Sequence, residues 1–266
     1  MRTDGSEPQG HRHMPGIPLR SLGDAQQWSR IIHLAPVLAC EYNCYHQQLY
    51  LRRMSKPRSY AASHKGLRNI LGRFSLLAGR TDFGDPADVA QLKALGAEMF
   101  MLLTHHLHTE NDHLLALLEQ RVPGASQHDL QDHEELEVIQ NEVAARLQAL
   151  DGTQSAAEGH AFYLAFTAFQ GRYLGHIHHE EVVTEELLLA NFTEQELIDN
   201  SGRIVQSVEF PVLLASLKYI VPAQSRAENR ELFDQLKANA PAEAVHAIVE
   251  AVRPMMEPAE LEALIV

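Results

Sequence analysis

Cysteine is scarce in this sequence: Cys40 and Cys44 are the only two in 266 residues. That excludes a disulfide scaffold and a thiolate-rich zinc fold. Their i, i+4 spacing puts both on one helical face, as a redox pair or, more commonly for cysteine, as small buried hydrophobes. Aromatics make up only 6% of the chain, with a single tryptophan. No run of 18 apolar residues occurs, and the first 25 residues lack the apolar core of a signal peptide. Positive charge is also short, 22 bases against 35 acids for a net −13. No basic stripe suited to a nucleic-acid backbone is visible, RRMSKPRS at 52–59 reading as a solvated helix end. Strands are not suggested either, since no segment alternates β-branched with polar residues. These absences predict a soluble, cytoplasmic, all-α protein with neither nucleic acid nor membrane as partner.

Leu, Ala and Glu dominate what is present, and helix punctuation divides it. Residues 1–25, rich in Gly, Pro and scattered charge, read as a disordered leader in which His11 and His13 are idle. An extra N-terminal helix is expected over 26–55, kinked at Pro36 and stopped at Lys56-Pro57. Four long helices follow within 59–191: from Ser59 to Gly79, from Pro86 to Arg121 with Asp85 as N-cap, from Gln127 to Leu150, and from Ala156 to Ala190. The remainder, 192–266, reads as a helical C-terminal extension packing on the bundle. Thr193-x-x-Glu196 and Ser225-x-x-Glu228 look like capping boxes that open its helices.

Sixteen histidines stand out, above all in HHLHTENDH at 105–113 and HIHHEE at 176–181. His-x-x-x-Glu occurs four times, at His106/Glu110, His133/Glu137, His176/Glu180 and His246/Glu250, and in a chain this rich in both residues that spacing is weak by itself. Helical phase is more informative. Glu110 lies within roughly 40° of His106, on the stripe of Met99, Leu102, Leu103, Leu114 and Leu117. A carboxylate in such a stripe is costly unless paired or metal-bound. His176 and Glu180 share a face with Phe169, Val183 and Leu187, whereas Glu181 points about 140° away, toward solvent. His113 falls between His106 and Glu110 and could be an additional ligand or a hydrogen-bond partner of one. His105, His108, His178 and His179 are expected in solvent. His46 and Arg68 have no firm placement.

The register sharpens this. His64, on the face of Leu67, Leu71 and Phe74, precedes His106 by 42 residues, and His133 precedes His176 by 43. Each half is one inward histidine, a hairpin turn, then His-x-x-x-Glu on the returning helix. The legs of the second hairpin are both about 25 Å, so its histidines return to one level. Two such hairpins in a four-helix bundle bring four imidazoles and two carboxylates together in its core. That donor set suits a pair of iron ions, the carboxylates bridging. The competing reading is a bundle whose core histidines hydrogen-bond glutamates. Tyr60, one turn before His64, and Tyr173, three residues before His176, face inward. Their phenols could act on metal-bound ligand, or could be packed core tyrosines.

With these residues in hand, the chain resembles the hemerythrin-like (HHE cation-binding) family. The matching stretches are SHKGLRNILGRF, LLTHHLHTENDHLLALLE, LQDHEELEVI and YLGHIHHEEVVTEELL. The resemblance implies an up-down four-helix bundle holding a non-haem di-iron centre, oxo- or hydroxo-bridged, with manganese or a mixed pair as variants. The implied ligands are His64, His106, Glu110, His133, His176 and Glu180. One departure concerns Glu137, which stands where oxygen-carrying members have a second third-helix histidine. Counted about 40° from His133, it is expected to face inward as a seventh ligand or a ligand's partner. A site with less imidazole and more carboxylate disfavours simple oxygen carriage. The expected function is binding of, or response to, O2, peroxide or nitric oxide. A di-iron oxidase or oxygenase acting on a small organic substrate through Tyr60 and Tyr173 is the alternative, and iron storage a weaker third.

Overall fold

The computed structural model describes residues 58–265, and these are helical with no strand among them. The expected leader, the 26–55 helix, Cys40, Cys44 and His46 lie outside the described residues. Helix α1 (Ala61–Arg80) turns into α2 (Pro86–Thr109), where the Asp85 side chain accepts from the Ala87 amide ahead of Pro86 at the first helical position. The helix runs on through a π-helical turn, Glu110–Leu115, into Ala116–Arg121. Helix α3 (Gln127–Ala149) is followed by α4 (Ala156–His179), which a Ser155/Glu158 capping box opens. A second π-helical turn, Glu180–Thr184, carries α4 into Glu185–Asn191. The C-terminal part holds α5 (Glu194–Ser207), α6 (Phe210–Ile220), α7 (Arg226–Asn239), α8 (Ala242–Val252) and α9 (Pro258–Ile265). Thr193 and Ser225 form the expected capping boxes at α5 and α7.

Helices α1–α4 form two antiparallel hairpins around an aromatic core. Phe74 packs on Phe166 with centroids 4.4 Å apart, and Phe100, Phe169 and Leu147 fill the layers around them. The hairpin turns dock on each other at one end of the bundle. Gln154 N–H donates to the Phe83 carbonyl (3.2 Å), and Gly152 sits against Pro86 at φ +86°. A Cβ on Gly152 would come 2.4 Å from the Pro86 backbone. This contact sets the two hairpins to one level, which is what brings their histidines together some 25 Å away. Gly152→Ala should therefore destabilise the fold by about 2 kcal/mol or more, from left-handed backbone strain plus the clash. Urea unfolding checks this, and an unchanged midpoint would show that the turns need not dock.

At the opposite end, Tyr60, Leu114, Leu118, Leu188, Phe192 and Leu197 form a second apolar cluster beneath α5. Glu185, buried on the continuation of α4, accepts from the Ser59 and Tyr60 amides and so caps α1 from across the bundle. The C-terminal helices make a third cluster around Phe233, Ile248, Val252 and Leu261. Their link to the bundle is α6, laid along α1 so closely that a Cβ on Gly66 would meet the Ile220 side chain at 2.6 Å. Asn69 donates to the Tyr219 carbonyl, and Glu98 on α2 accepts from both Lys218 and the Tyr219 hydroxyl. Among the described residues no single helix is long and apolar enough to cross a membrane.

Candidate metal centre

Between the aromatic core and the capping cluster lies a polar layer. His64 enters from the first turns of α1, His106 from the end of α2, His133 from the start of α3 and His176 from the end of α4. Glu110 and Glu180 each stand at the first residue of a π-helical turn. A π turn adds one residue to the helical cycle and is a frequent feature of functional sites. Here the two turns aim the carboxylates at each other's imidazoles. Glu110 Oε1 is 3.4 Å from His64 Nε2 and 3.2 Å from His106 Nε2, while its Oε2 is 3.7 Å from His133 Nε2. Glu180 Oε2 is 3.4 Å from both His64 Nε2 and His176 Nε2, and its Oε1 is 3.4 Å from His133 Nε2.

Two overlapping quartets result: His64, His106, Glu110 and Glu180 on one side, and His133, His176, Glu110 and Glu180 on the other. Both glutamates belong to both quartets. Atoms bonded to one metal at about 2.0–2.2 Å stand roughly 3.0–3.4 Å apart, close to the separations found here.

The outer nitrogens decide what the inner ones can do. His64 Nδ1 lies 3.1 Å from Glu181 Oε1, His133 Nδ1 lies 2.6 Å from Asn111 Oδ1, and His176 Nδ1 lies 3.5 Å from Asp132. Glu181 and Asn111 each accept a hydrogen bond from their ring, so His64 and His133 are donors at Nδ1 and present a lone pair at Nε2, whereas His176 Nδ1 makes no hydrogen bond. His133 Nε2 and His176 Nε2 face each other at 2.9 Å. Both oxygens of Glu110 and of Glu180, with Nε2 of His64 and His106, are buried without a hydrogen-bond partner. Four unpartnered carboxylate oxygens among imidazoles are expensive to bury, and a cation would satisfy them. The donor set fits a pair of metal ions.

Electrostatics agree except at His64, which Glu110 and Glu181 hold above the usual imidazole value despite its burial. Burial pushes Glu110 and Glu180 well above the ordinary carboxylate range, Glu180 acting further on Glu110 and Asp129 on Glu180. Burial pushes His133 down to about 4 and His176 to about 2, and His106 well below the usual imidazole value. At Glu181, partial burial is outweighed by His64 and Arg68, which hold its carboxyl at about 2. Arg68 donates to both Glu181 oxygens, at 2.6 and 2.9 Å.

The structure thus brings together His64, His106, Glu110, His133, His176 and Glu180. Tyr60 and Tyr173 are fully buried beside them, with ring centroids 5.1 Å from His64 and 6.2 Å from His176 and with both hydroxyls unpartnered. Glu137 does not join them. Its side chain is 52% exposed and lies 3.9 Å from His108 on the surface. The inward seam of α3 runs Asp129, His133, Leu136, Gln140, Val143, Leu147, so the step after His133 goes to Leu136 on the other flank. The donor set loses that seventh ligand but still has one imidazole fewer than the pattern of the oxygen carriers.

His113 is also displaced: the π turn swings it out to Ser207 on α5, at 3.1 Å. Glu181, expected in solvent, instead braces His64. His178 and His108 are exposed, but His105 is half-buried against Thr109, and His179 lies against Asp129. Asn111, Asp132 and Glu181 carried no signal beyond being polar neighbours of ligands along the chain.

Fold and site together define a four-helix bundle with a shared His/Glu cage that could bind metal. Residues 58–188 match the family model described as the hemerythrin HHE cation binding domain, and this segment is a hemerythrin-like HHE domain. A search of curated proteins finds no match.

Proposed function

We propose that the protein is a non-haem di-iron protein that binds or responds to O2, peroxide or nitric oxide. The observation that carries this is the pair of quartets sharing Glu110 and Glu180, each completed by two imidazoles. Four imidazoles and two carboxylates make an intermediate donor set suited to iron, with manganese or a mixed pair as variants. Bound there, the iron pair would supply redox and Lewis-acid chemistry toward a small ligand. The chain's own residues do the rest. Glu181 and Asn111 fix the imidazoles of His64 and His133 with their lone pairs inward, and the two apolar clusters above and below keep bulk water out.

A second reading, an oxidase or oxygenase acting on a small organic substrate, is favoured by one observation. Tyr60 and Tyr173 hold unpartnered hydroxyls beside the cage, positioned to donate a hydrogen bond or to be oxidised. Burial and the two glutamates push both phenols well above their usual value, so each keeps its proton.

The test is metal content with an optical spectrum, recorded before and after O2, peroxide or nitric oxide. Purified protein should carry about two irons and change its spectrum with at least one of these. Unchanged metal content in His106→Ala and Glu180→Ala would sink both readings. Tyr173→Phe and Tyr60→Phe divide them. Under the sensing reading their metal content and response persist, whereas the oxidase reading expects turnover of an organic substrate to fall by about ten-fold or more.

A further inference from the structure

A second group of metal-ligating side chains lies outside the cage, where α3 begins and α4 ends. Asp129 is 1% exposed, although it carries a carboxylate in the first turn of α3. Its Oδ2 accepts from the Thr184 hydroxyl at 2.5 Å. Its Oδ1 faces two imidazoles, His128 Nδ1 at 3.4 Å and His179 Nε2 at 3.6 Å. Those two rings are stacked, with centroids 4.1 Å apart and planes inclined by 24°. Among the described residues the ion pairs of Asp129 are with these two imidazoles alone, and no lysine or arginine balances it.

Hydrogen bonding accounts for only half of the arrangement. His128 Nδ1 makes a long hydrogen bond to Asp129 Oδ1 at 3.4 Å, whereas His179 Nε2 at 3.6 Å lies beyond one. Doubly protonated rings would balance the carboxylate, but two imidazolium ions stacked this closely repel each other. The separations instead match the edge of a tetrahedral coordination sphere, about 3.4 Å for bonds of 2.0–2.1 Å. The three donor atoms lie within 4.8 Å of one another. The His128 side chain is 61% exposed and that of His179 31%, so solvent reaches the group and water can complete the sphere. Two imidazoles and one carboxylate select divalent transition metals over calcium or magnesium.

We propose that His128, Asp129 and His179 form an outer divalent transition-metal site, from which ions pass to the cage. The positions along the chain support the transfer. His179 directly precedes the cage residue Glu180, and Thr184, which holds Asp129, closes the same π turn. Asp129 precedes His133 by one turn of α3, about 6 Å. An ion held outside therefore sits one helical turn from the two cage residues nearest it. The loading role rests on the cage being a metal centre, whereas the outer site does not.

Zn2+ alone is the probe for the site. Full-length protein, equilibrated with Zn2+ and analysed for bound metal, should lose one equivalent on His128→Ala/His179→Ala substitution. Glu110→Gln/Glu180→Gln protein should keep that equivalent and lose it when the two alanines are added. Asp129→Asn, which preserves shape and the Thr184 contact, should weaken the same equivalent by about 100-fold. Co2+ uptake, followed by the growth of its absorption, tests the role. Loading of the cage should slow by about ten-fold in His128→Ala/His179→Ala, with the same end point. An unchanged Zn2+ count in that variant overturns the site, and an unchanged Co2+ rate overturns its loading role. If the cage is not a metal centre, the two glutamine substitutions leave the count untouched while the two alanines still remove one ion.

Discussion

Glu110→Gln protein is expected to fold, to purify without its metal pair, and to equal or exceed the stability of metal-free wild type at neutral pH. Glu110 and Glu180 are 2% and 0% exposed, and none of their four oxygens has a hydrogen-bond partner. Without metal they are a liability, because each ionised form is buried beside the other. An amide in place of one carboxylate removes that repulsion but also removes a bridge between the two quartets. Metal reverses the balance. With free metal at about a thousand times its dissociation constant, wild type gains about 4 kcal/mol for each ion bound, and Glu110→Gln gains little or none.

The pH dependence separates this from a packing effect. A carboxyl whose folded pKa is raised stays protonated in the folded chain after the unfolded chain has released its proton. Stability is then lost as pH rises from the ordinary carboxylate value through the folded one. Metal-free wild type should fall in stability relative to Glu110→Gln across that window. His106, His133 and His176 act in the opposite sense. His133 and His176 titrate at about 4 and about 2 in the folded state, so below pH about 6.5 the unfolded chain takes up protons that they refuse. Both proteins should therefore weaken alike as pH falls from there. Urea unfolding over a pH series with chelator measures both trends. Parallel curves for the two proteins above pH 5 would show that Glu110 is not a buried acid.

How much of this was readable in advance depended on where the helices stay regular. Through α1, α2 and the α-helical part of α4, a 100° step places His64, His106 and His176 correctly, and equal hairpin legs bring them level. Helical phase also put Glu110 and Glu180 inward, because each is the first residue of its π turn. Beyond that residue the count fails by one position. His113 was therefore expected in the core and lies against Ser207, and Glu181 was expected in solvent and lies against His64. No composition signal marks a π turn, and each of the two opens on a buried glutamate.

Glu137 failed for a different reason. Alternating steps of three and four along α3 fix its seam, and angular distance from one histidine cannot say on which flank the next buried residue falls. The partners that orient the imidazoles were illegible because they act across helices. Glu181 of the second π turn reaches α1, and Asn111 of the first reaches α3.

Those partners carry the second large effect. Glu181→Ala should weaken metal binding on the His64/His106 side by about 10- to 100-fold while leaving the His133/His176 side close to wild type. Glu181 remains ionised at any working pH, since His64 and Arg68 hold it at about 2, so it fixes the Nδ1 proton of His64 continuously. Without it, His64 can take the other tautomer, with the proton on Nε2, pointing N–H rather than a lone pair at Glu110 and Glu180. Metal must then pay for turning the proton back, and only one quartet feels that cost. Titration of the metal-free protein should change from a single steep step to two resolved steps, with a one-metal species populated between them. Arg68→Ala should act in the same direction but more weakly, because Arg68 reaches the metal only through Glu181 and its side chain is 36% exposed. Asn111→Ala should produce the mirror image, weakening the His133/His176 side, since His133 loses the oxygen that fixes its tautomer. If Glu181→Ala and Asn111→Ala lower both steps equally, the two quartets are not separate metal positions, and a single ion shared among all six side chains would replace the pair.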